Sequence, residues 1–185
     1  MKTESIVRYV LRITLTLLLI AAVVAAALAL VNDVTAPIIA KVNAQKTQQA
    51  IELVLPGGYD QKVDAYTDET GLVSSVYKGA NGYAVEVTPI GFDNTITMMV
   101  GVDPDGKILG ISIISHSESA GLGAVAAASN SAGQAFRDQF VGLSGSVSVG
   151  DNIDAITNAT ITSRAVCDGV NAALACVRAL EGGAA

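Results

Sequence analysis

The stretch 73-VSSVYKGANGYAVEVTPIGFDNTITMMVGVDPDGKILGISIIS-115 decides the fold. It breaks into four short runs, VSSVYKG, GYAVEVTPIGF, TITMMVGV and KILGISIIS, each rich in β-branched and aromatic residues. Alternating apolar and polar positions of this kind read as strands. Gly-Ala-Asn-Gly, Asp-Asn and Asp-Pro-Asp-Gly separate them, and Asp103 to Gly106 is a strong tight-turn signal. Hairpins of this kind make an antiparallel sheet.

Upstream of the sheet the pattern changes twice. Ile13 to Val31, ITLTLLLIAAVVAAALALV, holds nineteen residues of which only Thr14 and Thr16 are polar and none is charged. At about 1.5 Å per residue it makes roughly 28 Å of helix, close to the thickness of a bilayer core. A cleaved secretory signal is the competing reading, because small residues near Ala25 to Ala29 suit a peptidase; signal cores are usually shorter, about 7 to 15 apolar residues. Lys2, Arg8 and Arg12 precede the span and Asn32 and Asp33 follow it. That asymmetry places the N-terminus in the cytoplasm and the remainder outside. After the span, 35-TAPIIAKVNAQKTQQAIELVLPGG-58 reads as a separate stalk helix, capped by Thr35 with Pro37 in its first turn and ended by Pro56 and Gly57.

Composition agrees with one globular domain plus a membrane appendage. Of 185 residues 51% are hydrophobic and 15% charged, where about a quarter charged is usual for a soluble domain. Residues 33 to 185 hold 16 acidic and 8 basic side chains, which argues against a nucleic-acid partner. Cys167 and Cys176 lie nine positions apart on one expected helix, hence on opposite faces, and read as small buried hydrophobes. One histidine and no CxxC leave no recognisable metal-ligand set.

Downstream of the sheet, 116-HSESAGLGAVAAASNSAGQAFRDQFVG-142 leads through a glycine-containing loop into helical or loop segments. A short strand at Val147 to Val149 follows, then a final helix from Ser163 to Leu180 ended by Gly182 and Gly183. Just ahead of that helix lies 154-DAITNATITSRAV-166, in which Thr157, Thr160, Thr162 and Ser163 crowd four hydroxyls into seven residues. A helix N-terminus exposes unpaired N–H groups and the positive end of its dipole, so it favours a phosphate. Ala159 keeps the approach open, Thr160 presents a hydroxyl where a phosphate would rest, and Asp154 lies six residues upstream. The plainer reading makes Ser163 an N-cap and the threonines ordinary strand-end residues.

The run Asp154 to Thr160 resembles the D-x-x-[ST]-G-A-T signature of proteins in which a flavin transferase esterifies FMN phosphate to the final threonine, here Thr160. Ile161, Thr162 and Ser163 continue the family's usual tail. Asn158 stands where the family mostly has Gly, and Asn is the next best residue at a positive φ. Upstream, His116-Ser117-Glu118-Ser119-Ala120-Gly121-Leu122-Gly123 resembles the H-x-E-T-P-G-L-G loop of the FMN-binding subunits of the Rnf and sodium-pumping NADH:quinone reductase complexes, with Ser119 and Ala120 replacing Thr and Pro. TAPIIAKV after a single span is similar to the same families' membrane-proximal helix. Chain length favours the Rnf type.

The resemblance implies an α+β fold: a cytoplasmic tail 1–12, a transmembrane helix 13–31, a stalk helix 32–57 and an extracytoplasmic FMN-binding domain 58–185 with an antiparallel sheet and flanking helices. It implies FMN as cofactor, bound covalently through a phosphoester at Thr160, with Asp154, Thr157, Asn158, Ala159, Thr162, Ser163, Glu118, Ser119, Leu122 and Gly123 as further cofactor-binding candidates. None of these is a catalytic nucleophile of the protein itself. The implied partners are other membrane redox subunits, together with a flavin transferase for maturation. The implied work is electron transfer between ferredoxin and NAD coupled to sodium-ion or proton movement. Ala21, Ala22, Ala25 and Ala29 offer a small-residue helix face for a partner helix, or are simple filler. A freestanding flavinylated surface carrier is an alternative. So is a pilin-like structural protein, although no Gly precedes the apolar helix and no acidic residue enters it.

Overall fold

The structure, a computed structural model, describes residues 2–63 and 70–182, with the side chains of residues 2–5 left out of the description. The chain divides into two compact units, Met1–Gln45 and Lys46–Ala185. The first is helix alone. Helix α1 runs Lys2–Val54, and its side chains from Ile6 to Gln45 are exposed although most of them are apolar as far as Val42. It is long and apolar enough to cross a membrane.

The stalk does not begin as a new helix at Thr35. Pro37 lies inside α1, and Thr35 is no cap: its Oγ1 donates back to the carbonyls of Val31 at 2.9 Å and Asn32 at 3.4 Å. Proline removes one N–H from the ladder, and a hydroxyl bonding back to a carbonyl one turn earlier is compatible with an unbroken helix. α1 does end just before Pro56 and Gly57, as the sequence suggests.

In the second unit, strands β1 (Gln61–Val63), β2 (Val73–Gly79), β3 (Gly82–Val87), β4 (Thr97–Val102) and β5 (Ile108–Ser115) form one antiparallel meander in the order β1-β2-β3-β4-β5. Four of the strands follow the expected runs, and three-residue β1 carries too little pattern to be seen in the sequence. β3 stops at Val87, five residues before Phe92, because Pro89 has no N–H to donate to a ladder. Beyond the sheet come a 3-10 helix, Gly123–Ala127, then α2 (Ser131–Asp138), capped by the Asn130 side chain on Gly133 N–H, and α3 (Thr160–Leu180).

The central strands are buried on both faces, and the two faces serve different partners. Val85, Val87, Met98, Val100 and Val102 face α3, where Val166, Val170, Ala173, Leu174 and Val177 close the main core. Ala84 and Met99 face the last turns of α1, against Ala50, Ile51, Val54 and Leu55. Gly101 allows that approach, since a Cβ there would overlap the backbone of Val54. Burying side chains the size of Ile51, Leu55 and Met99 contributes about 1.5–3 kcal/mol each. The end of α1 is therefore part of the head's own packing.

Both cysteines are buried in α3. Burial, with Asp168 adding to it, pushes the Cys167 thiol up to about 11. The strand expected at Val147 to Val149 is absent. Val147 N–H donates instead to Asn171 Oδ1 and its carbonyl accepts from Asn171 Nδ2, both at 2.9 Å, so one amide on α3 takes the place of a neighbouring strand. Only a single bridge, Val149 to Ile153, remains there among the described residues. Gly182 follows α3 at φ +79, and Gly183 lies outside the described residues.

Candidate functional site

The start of α3 differs from the sequence expectation in a way that matters. The helix begins at Thr160 and not at Ser163, because the chain turns sharply just before it. Asn158 is the one described non-glycine residue at positive φ, at 60°, and Ala159 N–H closes the turn onto Ile156 O at 2.9 Å. Ser163 is not an N-cap. It is fully buried one turn inside, where its Oγ donates to Ala159 O at 2.9 Å and accepts Ile156 N–H at 3.0 Å. The hydroxyl thus pins the 156–159 turn to the helix that follows.

This start places Thr160, Ile161 and Thr162 in the first turn, whose N–H groups have no acceptor within the helix. Ser163 N–H to Ala159 O, at 3.0 Å, is the first helical bond. Thr160 and Ile161 are exposed, whereas Thr162 turns inward and is buried. Thr162 Oγ1 donates to Glu118 Oε2.

Glu118 comes from the loop after β5 and is itself buried. Its other oxygen, Oε1, accepts the N–H groups of Phe92 at 2.9 Å and Asp93 at 3.2 Å, and its own N–H donates to His116 Nδ1 at 3.2 Å. Two glycines make room for this carboxylate. A Cβ on Gly91 would overlap Oε1, and a Cβ on Gly123 would overlap both Oε2 and Thr162 Oγ1. One buried side chain therefore ties together the 91–93 turn, the 116–123 loop and the mouth of α3.

Around that tie lies a cleft of about 290 Å³ lined by Phe92, Glu118, Ser119, Leu122, Gly123 and residues 158–162. Of the candidates named from sequence, Glu118, Ser119, Leu122, Gly123, Asn158, Ala159, Thr160 and Thr162 meet here. Asp154 and Thr157 do not. They line a neighbouring cleft with Phe136 and Gln139, and the Asp154 backbone is held by the Gln139 side chain, which accepts its N–H at 2.7 Å. Ser163 is buried and does not line the cleft. Sequence reasoning missed Phe92 and Ile161, both exposed apolar side chains on the rim. The Thr-Pro and Gly of 88-TPIGF-92 are the signal that Phe92 belongs to a turn and not to a strand end.

The chemistry of the lining suits a flavin phosphate. Apolar surface from Phe92, Leu122 and Ile161 borders a hydroxyl, Thr160, at a first helical turn that favours an anion. No lysine or arginine is among the lining residues, so a phosphate held here without a covalent bond would rely on neutral donors, backbone N–H groups and the side chains of Ser119, Asn158 and Thr160.

Comparison with known proteins agrees with this geometry. Residues 91–175, which include the whole cleft, match the family described as FMN-binding domain. The chain is 36% identical to the G subunit of the Na(+)-translocating ferredoxin:NAD(+) oxidoreductase complex of Acetobacterium woodii, over 89% of each chain. It is 33% identical to the G subunit of the ion-translocating oxidoreductase complex of Methanosarcina acetivorans, over 92% of this chain and 96% of the relative. A 41% match covers 55% of this chain and 56% of the G subunit of the proton-translocating ferredoxin:NAD(+) oxidoreductase complex of Clostridium ljungdahlii.

Proposed function

This chain belongs to the family of G subunits of Rnf-type ion-translocating oxidoreductase complexes, and on that premise we propose that it is their membrane-anchored flavin carrier, with FMN esterified to Thr160. One observation carries the reading: Thr160 is exposed at the first turn of α3, in a cleft lined by the apolar side chains of Phe92, Leu122 and Ile161 and by Asn158, which holds φ 60°. FMN supplies one- and two-electron redox chemistry when bound.

The chain's own residues do the rest. Thr160 Oγ would carry the phosphoester, made by a separate flavin transferase, and the first-turn N–H groups of α3 would be the donors available to the phosphate. Ser119, Leu122 and Gly123, which line the cleft, would border the ring system there, and the exposed Phe92 and Ile161 would restrict water at its edge. The ester retains a cofactor that finds no cationic side chain in the cleft. Asp154 and Thr157 are exposed and face the neighbouring cleft, so the transferase can reach them as well as Thr160.

Residues 1–12 form a cytoplasmic tail, 13–31 the membrane span and 32–57 the membrane-proximal segment, whose last turns belong to the head's packing, with 58–185 on the outer side. The span contains no ionisable residue to line an ion path, so partner subunits move the sodium ions or protons. The subunit's contribution to an electron path between ferredoxin and NAD is to hold a flavin at the membrane surface within reach of its partners.

The test is mass spectrometry of the tryptic peptide containing Thr160, from the full chain expressed with and without a flavin transferase. The added mass of FMN is expected on Thr160 only with the transferase, and Thr160→Ala abolishes it while membrane insertion is kept. Flavin on Thr157 or Thr162 instead overturns the site, and a chain that never carries flavin overturns the function.

A further inference from the structure

The geometry points to a division of labour at the cleft that the motif does not specify: Phe92 is the aromatic wall against which the flavin ring system packs, and Glu118 is a positioning residue that sets that wall. This rests on the FMN reading of the cleft and deepens it.

Phe92 is 68% exposed and lines the cleft that contains Thr160. The turn is well fixed. Gly91 N–H donates to Asn94 O at 2.9 Å, Ile96 N–H to Pro89 O at 2.8 Å and Thr95 N–H to Asn94 Oδ1 at 2.7 Å. The N–H groups of Phe92 and Asp93 both end on Glu118 Oε1. A rigid backbone is thus holding a large apolar ring out in solvent, beside the cleft that contains Thr160. The cost of that exposure is offset when a flat apolar partner covers the ring, and aromatic pairs gain further from offset or edge-to-face packing.

Glu118 cannot easily serve the flavin as well. Its Oε1 holds the Phe92 turn, its Oε2 holds Thr162, and the missing side chains of Gly91 and Gly123 leave it wedged between backbone segments. Its effect on the cofactor therefore runs through Phe92 on one side and the mouth of α3 on the other.

The experiment uses the full chain, expressed with a flavin transferase, purified in detergent and checked for loading by the mass of the Thr160 peptide. An indole in contact with a flavin quenches its emission by photoinduced electron transfer, whereas a leucine does not. Phe92→Trp is expected to lower flavin fluorescence several-fold relative to Phe92→Leu at equal loading. Iodide access to the flavin should rise in Phe92→Ala, because the ring that covers one side of it is gone. In the Phe92→Trp background, Glu118→Ala should restore emission. Glu118→Gln should keep it quenched, because the amide oxygen still accepts the two N–H groups. Should Glu118→Ala fail to accumulate, Glu118→Asp is one methylene too short to hold both the Phe92 turn and Thr162, and is expected to restore emission in part.

Equal emission from the loaded Trp and Leu variants overturns the aromatic wall. Quenching that survives Glu118→Ala, or survives undiminished in Glu118→Asp where that variant takes its place, overturns the clamp. A wild-type chain without flavin on Thr160 overturns the FMN reading itself, so the failures are distinguishable.

Discussion

Thr162→Val is the sharpest test of the buried tie at the mouth of α3. Valine keeps the shape of threonine and its helix propensity, so the change removes one hydroxyl and little else. Thr162 is 1% exposed and Glu118 7%, so water does not readily replace the lost donor. A hydrogen bond to a charged group contributes about 1.5–3 kcal/mol, and the methyl group left facing Oε2 adds desolvation to that loss. We expect about 2–3 kcal/mol of destabilisation, which for a head of this size is roughly 8–12 °C in Tm. The assay is calorimetry or circular dichroism of the full chain in detergent without flavin, with Thr160→Ala as the paired control. The Thr160 side chain is exposed, so that control should stay within about 0.5 kcal/mol of wild type. A Thr162→Val protein melting with the wild type, or a Thr160→Ala protein melting with Thr162→Val, would refute the assignment of these two threonines to opposite sides of the helix.

Three further outcomes follow from the same structure. Asn158 holds φ 60°, so Asn158→Ala should cost about 1–2 kcal/mol and Asn158→Gly next to nothing, read from denaturant midpoints. Gly101→Ala should destabilise the head by about 1–3 kcal/mol, because the new Cβ meets the Val54 backbone, and it should raise proteolysis near the end of α1. Burial raises the Glu86 carboxyl above its ordinary 4.5, only partly offset by Lys62. Its ionised form therefore opposes folding above that raised value and has no such effect once pH falls below about 4.5. Glu86→Gln should accordingly raise Tm near neutral pH and leave it unchanged near pH 4.

Most of the sheet was legible because its strands are short, apolar and bounded by turns whose chemistry is local. β1 was not, since three residues carry no period. The Val147 segment misled because its backbone is satisfied by Asn171, and a distant amide leaves no mark in the local pattern. The same holds at the site. Thr160, Asn158 and the Glu118 loop could be named from their motifs, yet nothing local says that Asp154 and Thr157 face another cleft or that Phe92 stands on the rim.

The order of residues alone determined the membrane-length helix, the four longer strands, the positive-φ turn at Asn158 and the cluster of hydroxyls after it, because each depends on neighbours within one or two turns of chain. Tertiary structure alone decided which hydroxyl faces solvent and which is buried, and it made Glu118 a buried link between three segments. Those outcomes depend on packing and hydrogen bonds between residues 26 and 44 positions apart, and no period or propensity encodes such distances.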